Sequence, residues 1–279
     1  FVGSGDTVID PALLTWYKDT YVMDPIEKTG FDGNYWKWEH PNYNRAYMVV
    51  ADVARGDGSD YSTFQVIDIE DSSQVAEYRG KIETKDFGNF LVAVSTEWNN
   101  SLLIIENSNV GWATIQQAID RGYGNLFYMS NDLKYIDVEN QMSNKFYRDE
   151  KKLVAGFGTT IKTRPLIIST LDTYINGKDI LIRSQRLIDE LFTFIWSGGR
   201  AEAMKGYNDD LTMAMAIGLW VRNTALRLKQ EGIDLTKTML NSTQVSQYTG
   251  FVSSGHLKQN PYEMDMGKKG VENLTWLLG

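Results

Sequence analysis

Hydrophobic and polar positions divide this chain into a regular middle flanked by two less regular ends. The regular part begins at Ala46. Tyr47–Val53 (YMVVADV) is a nearly unbroken apolar run that reads as a buried strand ending in an acid. Gly56, Asp57 and Gly58 follow as a turn. Ser62–Ile69 and Val75–Ile82 read as a second and a third strand. Three strands joined by short turns predict an antiparallel meander. Asp86–Trp98 places Phe87, Phe90, Leu91, Val94 and Trp98 at helical spacing. Leu102–Ile105 (LLII) has the wholly apolar texture of a strand buried on both faces, and it ends at Glu106. Gly111–Arg121 reads as a helix and Leu126–Met129 as a strand.

Further on, Pro165–Ile175 predicts a helix with proline in its first turn. Ile180–Arg183 reads as a short strand, and Arg186–Trp196 as a helix or a long strand. The clearest helix is Asp209–Leu228, where Leu211, Ala214, Met215, Gly218, Val221 and Ala225 form one small-to-apolar stripe. Residues 130–164 are polar and mixed in charge, and a long loop or hairpin excursion is expected there. Residues 1–45 read as an arm or linker holding one short helix that starts at Asp10-Pro11. Residues 231–279, rich in Ser, Thr, Asn and Gln, read as a tail. That tail ends in the apolar Leu274-Thr275-Trp276-Leu277-Leu278, a segment suited to docking. The regular domain is therefore expected at 46–230. A chain that starts at Phe1 is expected to be a piece of a longer gene product.

Composition narrows the chemistry. There is no Cys, which excludes disulfides, thiolate metal sites and Cys nucleophiles. The two His, His40 and His256, are too few for a His-rich zinc site. Any metal chemistry falls to carboxylates, which suit Mg²⁺ or Mn²⁺. The net charge of −8 argues against a basic nucleic-acid coat. An acidic DNA enzyme is still allowed, with affinity drawn from a partner domain. No stretch approaches a membrane span. No G-x-x-x-x-G-K-[ST] occurs, and Gly156–Thr163 (GFGTTIKT) lacks the second Gly before its Lys, so no ATP site is expected.

The acids fall at telling places. Asp52 ends the first strand, Glu106 ends the fourth, and Asp209 with Asp210 opens the late helix. If strands one and four are neighbours, Asp52 and Glu106 meet, and a helix packed across the sheet brings its first turn over both. Converging carboxylates cannot all ionise without cations. Two divalent ions about 4 Å apart resolve that conflict and make a phosphodiester-cutting site. Each acid alone has a plainer reading, as a turn former at Asp52, a loop cap at Glu106 and a helix cap at Asp209-Asp210.

Together these segments resemble the C-terminal RNase H-like nuclease domain of tailed-phage, T4-like terminase large subunits. Met48–Thr63 resembles the family's first-acid strand and turn, Leu102–Gln116 its second-acid strand and helix, and Gly206–Gly218 its third-acid helix. Gly156–Ile168 is similar to the segment between the second and third acids, and Phe1–Asp10 to the junction after the ATPase motor. The resemblance implies an α/β, RuvC/integrase-type mixed sheet whose antiparallel meander is flanked by helices. It implies catalytic and metal-binding roles for Asp52, Glu106, Asp209 and Asp210, with either member of the Asp209-Asp210 pair as direct ligand. Asp60 fits both an outer ligand and a turn acid. Asn208 stands where the family commonly has His.

The implied activity is an endonuclease that cuts concatemeric double-stranded phage DNA during packaging with two Mg²⁺ or Mn²⁺ ions. The domain alone is expected to cut weakly. Lys162, Arg164, Arg200 and Lys205 are candidate phosphate contacts. Lys145, Arg148, Lys151 and Lys152, with Asp149 and Glu150 among them, read better as solvated surface. Implied partners are DNA, the N-terminal ATPase domain of the same polypeptide, the portal protein and the small terminase subunit, with no membrane. The implied location is the cytoplasm of the infected host, transiently at the procapsid portal. The alternatives are a portal-docking or DNA-translocation module with little cutting, and another RNase H-like nuclease such as a resolvase.

Overall fold

A computed structural model describes residues 7–56, 58, 60–108, 110–130, 153–224, 263–265 and 271–273. The chain divides into two compact units, Phe1–Thr224 and Ala225–Gly279. In the first unit the order is helix α1 (Pro11–Thr20), strands β1 (Glu27–Thr29), β2 (Tyr35–Lys37), β3 (Tyr47–Asp52), β4 (Ser62–Asp68) and β5 (Gln74–Gly80), and helix α2 (Thr84–Glu97). Strand β6 (Leu102–Ile105), helix α3 (Gly111–Asp120), strands β7 (Tyr128–Ser130) and β8 (Leu153–Ala155) and helix α4 (Thr163–Gly177) follow. Helix α5 (Gln185–Phe192) and strands β9 (Phe194–Ser197) and β10 (Arg200–Ala203) lead to a last helix, α6, at residues 210–224.

Six strands form one mixed sheet in the order β1-β2-β5-β4-β3-β6. β3, β4 and β5 are the expected antiparallel meander, and β6 joins β3 in parallel. Because side chains alternate along a strand, β3 sends Tyr47, Val49 and Ala51 to one core and Met48 and Val50 to another. The first core is closed by α2 and α3, whose Phe87, Leu91, Val94 and Ile115 recur at helical spacing. The second core is closed by α1, α4, α5 and α6 through Leu14, Leu171, Leu191 and Met215. Helices thus cover both faces, which is why LLII can be apolar throughout.

Gly218 sets how closely α6 approaches the sheet. A Cβ there would lie 2.8 Å from Ile67 Cδ1 and 2.9 Å from Val50 Cγ2. The small position in the α6 stripe is therefore the contact point with β3 and β4.

Several expectations need correction. Residues 7–45 are not a free arm. Leu14 and Tyr17 of α1 lie in the main core, and β2 pairs with β5, so this stretch is built into the unit. Beyond α1 its strands are three residues each, too short to show a period. Arg186–Trp196 is neither one helix nor one strand: α5 ends at Phe192 and the chain turns into the β9–β10 hairpin. Ile180–Arg183 makes only a single bridge, Leu181 to Ser73. The excursion at 130–164 is entered and left through the antiparallel β7–β8 pair, and α4 begins within it at Thr163. Residues 131–152, with Lys145, Arg148, Lys151 and Lys152, lie outside the described residues, as do 225–228 of the expected helix, the boundary at 230 and the segment Leu274–Leu278. In the second unit, Glu263–Asp265 and Val271–Asn273 pair antiparallel.

Candidate active site

The parallel pairing of β3 with β6 aligns Ala51 with Ile105, and the Glu106 backbone N–H donates to the Ala51 carbonyl at 2.9 Å. Asp52 and Glu106 are therefore adjacent positions at the same end of neighbouring strands. By alternation both point to the face occupied by Val50, Ile104 and α6. Gly111 holds the segment after Glu106 close, since a Cβ there would lie 1.9 Å from the Glu106 carbonyl oxygen.

Helix α6 runs over that face and brings its first turn to the acid end. The Met213 N–H donates to the Asp209 carbonyl at 2.8 Å, so Asp209 opens the helix. The Asp210 carboxylate accepts from the Tyr61 backbone N–H at 3.1 Å and from the Asn208 amide at 3.2 Å. The Asp209 carboxylate accepts from Arg164 at 2.6 Å. Asn208, at the position where the resembled family has His, is thus a donor to the acid beside it.

The electrostatics show that these groups share one place. The Asp52 carboxyl is held well above the usual carboxylate range, first by burial, then by Glu106, and then by Asp210 and Asp209. Glu106 is the largest contributor to that rise after burial, which puts the two carboxyls side by side at the strand ends. Burial likewise pushes Asp210 up to about 6, the Tyr61 N–H opposing and Asp209 and Asp60 adding to it. Asp60 is exposed and lies close enough to Asp210 for its charge to be felt.

Whether this donor set fits divalent cations can be asked of the residues themselves. The donors are hard carboxylate oxygens on three elements, and burial, then the charge of their neighbours, makes ionisation of Asp52 and Asp210 harder. That is an excess of negative charge, which Mg²⁺ or Mn²⁺ would relieve. Among the described residues no three acidic or His side chains already enclose a single point as a finished cage. Asp209 is turned toward Arg164 and Asp210 toward Tyr61. The chemistry fits, and rotation of those two side chains is what occupation would require.

Of the cations expected to meet DNA, Lys162, Arg200 and Lys205 are exposed. Arg164 is half-buried, and its guanidinium donates to Asp209 and to the Ala201 carbonyl at 3.0 and 3.1 Å. Three neighbours lie outside the set expected from the sequence. Tyr61 is a backbone donor to Asp210, and the Arg79 guanidinium lies 4.3 Å from the centre of its ring. Glu190 on α5 is buried, accepts from the Thr212 N–H at 3.0 Å, and so anchors the first turn of α6. Its carboxyl is pushed up to about 8 by burial. Trp196 stands half-exposed on β9. Only Trp196 left a signal, as an aromatic beside the Ser-Gly-Gly turn.

No family model matches the chain. Comparison with solved structures finds the same fold in the large terminase nuclease of the thermophilic phage G20c. The magnesium-bound form matches with a TM-score of 0.56 at 17% identity, over 77% of this chain and 96% of that one. The cobalt-bound form of the same nuclease gives 0.55 at 16% identity, over 77% and 96%. The large terminase nuclease domain of Thermus phage P74-26 gives 0.50 at 17% identity, over 73% and 92%. The α/β, RNase H-like fold expected from the sequence is the fold these structures share with this chain.

Proposed function

We propose that this chain is a metal-dependent endodeoxyribonuclease that cuts concatemeric double-stranded phage DNA during genome packaging. The observation that carries the proposal is the convergence of Asp52 and Glu106, side by side on parallel strands, beneath Asp209 and Asp210 of α6. The G20c nuclease, similar in fold, has been solved with magnesium and with cobalt, which supports a divalent-cation reading of the acids here.

In this reading Asp52, Glu106, Asp209 and Asp210 are the metal-binding and catalytic set, and Asp60 assists from outside. Two Mg²⁺ or Mn²⁺ ions would supply a more acidic attacking water and a counter-charge for the leaving oxygen. The protein's own part is positional. β3 and β6 hold Asp52 and Glu106 rigidly, Glu190 and Tyr61 fix the first turn of α6, and Lys162, Arg200 and Lys205 meet flanking phosphates. Double-stranded DNA, an ATPase domain of the same polypeptide, the portal protein and the small terminase subunit are the proposed partners. The proposed location is the cytoplasm of the infected host, transiently at the procapsid portal.

The test is nicking and linearisation of supercoiled plasmid in Mg²⁺, Mn²⁺ or EDTA, beside Asp52→Asn. Metal-dependent cutting that falls at least about 100-fold in the variant is the expected result. A folded protein that cuts in no metal points instead to a docking or translocation module. Cutting that survives Asp52→Asn places the active site elsewhere.

A further inference from the structure

A cavity of about 790 Å³ opens beside the acids. Arg164 lies in its wall and also holds Asp209, so cavity and acid cluster share a boundary. Two large apolar side chains face the space from different elements. Ile161, in the turn before α4, is 95% exposed, and Trp196, on the β9–β10 hairpin, is 46% exposed. Trp196 pairs across the hairpin with Ala201, which also lines the space. The exposed cations Lys162 and Arg200 flank the same space. On its wall the Thr159 hydroxyl is buried and makes no hydrogen bond among the described residues.

An aromatic face, an aliphatic wall and flanking cations together suit one kind of occupant. The bases of an intact duplex are stacked on one another and cannot offer a face to Trp196, whereas a base that has left the stack can. Its phosphates would lie toward Lys162 and Arg200, away from the acids that repel them. We infer that this recess binds one unstacked nucleotide of a DNA strand, next to the phosphate presented to the acid cluster. The preferred substrate is then duplex DNA with a locally splayed or mismatched step, rather than a perfect duplex. This inference rests on the nuclease reading and deepens it.

The test measures binding without cutting. Fluorescence anisotropy in Ca²⁺ would compare a labelled perfect duplex with the same duplex carrying a two-nucleotide central mismatch. The unaltered protein is expected to bind the mismatched duplex about tenfold tighter, the scale of one base–aromatic stack. Trp196→Ala should erase that preference while leaving perfect-duplex binding nearly unchanged, and Trp196→Phe should keep most of it. Equal binding of the two duplexes by the unaltered protein overturns the inference, as does a preference that survives Trp196→Ala. Because the unaltered protein alone can overturn the inference, a variant that fails to fold does not rescue it. Equal binding of the two duplexes alongside intact metal-dependent plasmid cutting sinks the recess and spares the nuclease. The reverse pattern sinks the nuclease reading.

Discussion

Two groups of acidic side chains lie on the same face of the central sheet, and they have opposite surroundings. On β5, Glu77 is buried and wholly supplied with donors. The Gln65 and Gln74 amides each reach one oxygen at 3.1 Å, while Ser184 and Arg186 reach the other at 2.9 and 2.8 Å. Gln74 in turn accepts from the Arg183 and Ser184 backbone N–H groups, so the network ties β4 and β5 to the start of α5. At the end of β3, Asp52 meets mainly other carboxyls. A buried acid among donors holds a fold together. A buried acid among acids stores repulsion that a cation or a proton must relieve. The difference between the two places is one of neighbours rather than of burial.

The sharpest way to break this contrast is to remove each acid in turn. Glu77→Ala should cost about 3–5 kcal/mol of unfolding free energy, because it leaves the half-buried Arg186 and the buried Gln65, Gln74 and Ser184 without that partner. Asp52→Asn, which abolishes cutting in the proposed reading, should leave stability unchanged or higher. Urea denaturation of both variants checks this. Equal losses would mean that the acid cluster is as structural as Glu77.

Acidity sharpens the contrast further. The folded-state values of Asp210, at about 6, and of Asp52 are raised above their unfolded values. The folded state therefore holds protons more tightly, and their contribution to stability is lost as pH rises through those values. In EDTA the melting temperature should fall between about pH 5 and pH 7.5. Mg²⁺ should flatten that fall, since it replaces the protons. Glu190, raised to about 8, works in the same direction but should not respond to Mg²⁺. Calorimetry across that range, with and without Mg²⁺, reads both components, and a melting temperature that rises with pH in EDTA would refute the assignment.

The smallest effect concerns Arg164, the resident cation. In the proposed reading, its pairing with Asp209 would compete with a metal for the same carboxylate. Arg164→Gln should tighten Mn²⁺ binding a few-fold by calorimetric titration while weakening DNA binding, and weaker Mn²⁺ binding would show that Arg164 positions Asp209 for the metal.

Much of this architecture was legible in the residues. YMVVADV, LLII and the Phe87–Trp98 spacing fix strands and helices locally, because burial on one or both faces imposes a period of its own. The acid at the end of each run was legible for the same reason, since a charge cannot continue a buried strand without a partner. The three-residue strands β1 and β2 were not legible, because three residues hold too little pattern and both are strands only through their pairing in the sheet. Nor could the sequence show Glu77 amid its donors, the Asp209–Arg164 pair, or Trp196 and Ile161 on the wall of one cavity.

Local periodicity thus determined which segments are strands and helices, and which acids stand at their ends. Only the tertiary structure decided which of those acids meet. Two carboxyls more than fifty positions apart lie side by side because β6 pairs in parallel with β3, and Gly218 lets α6 settle on the sheet above them. Such a meeting depends on register and on the close approach of packed elements, which residues distant in sequence do not record.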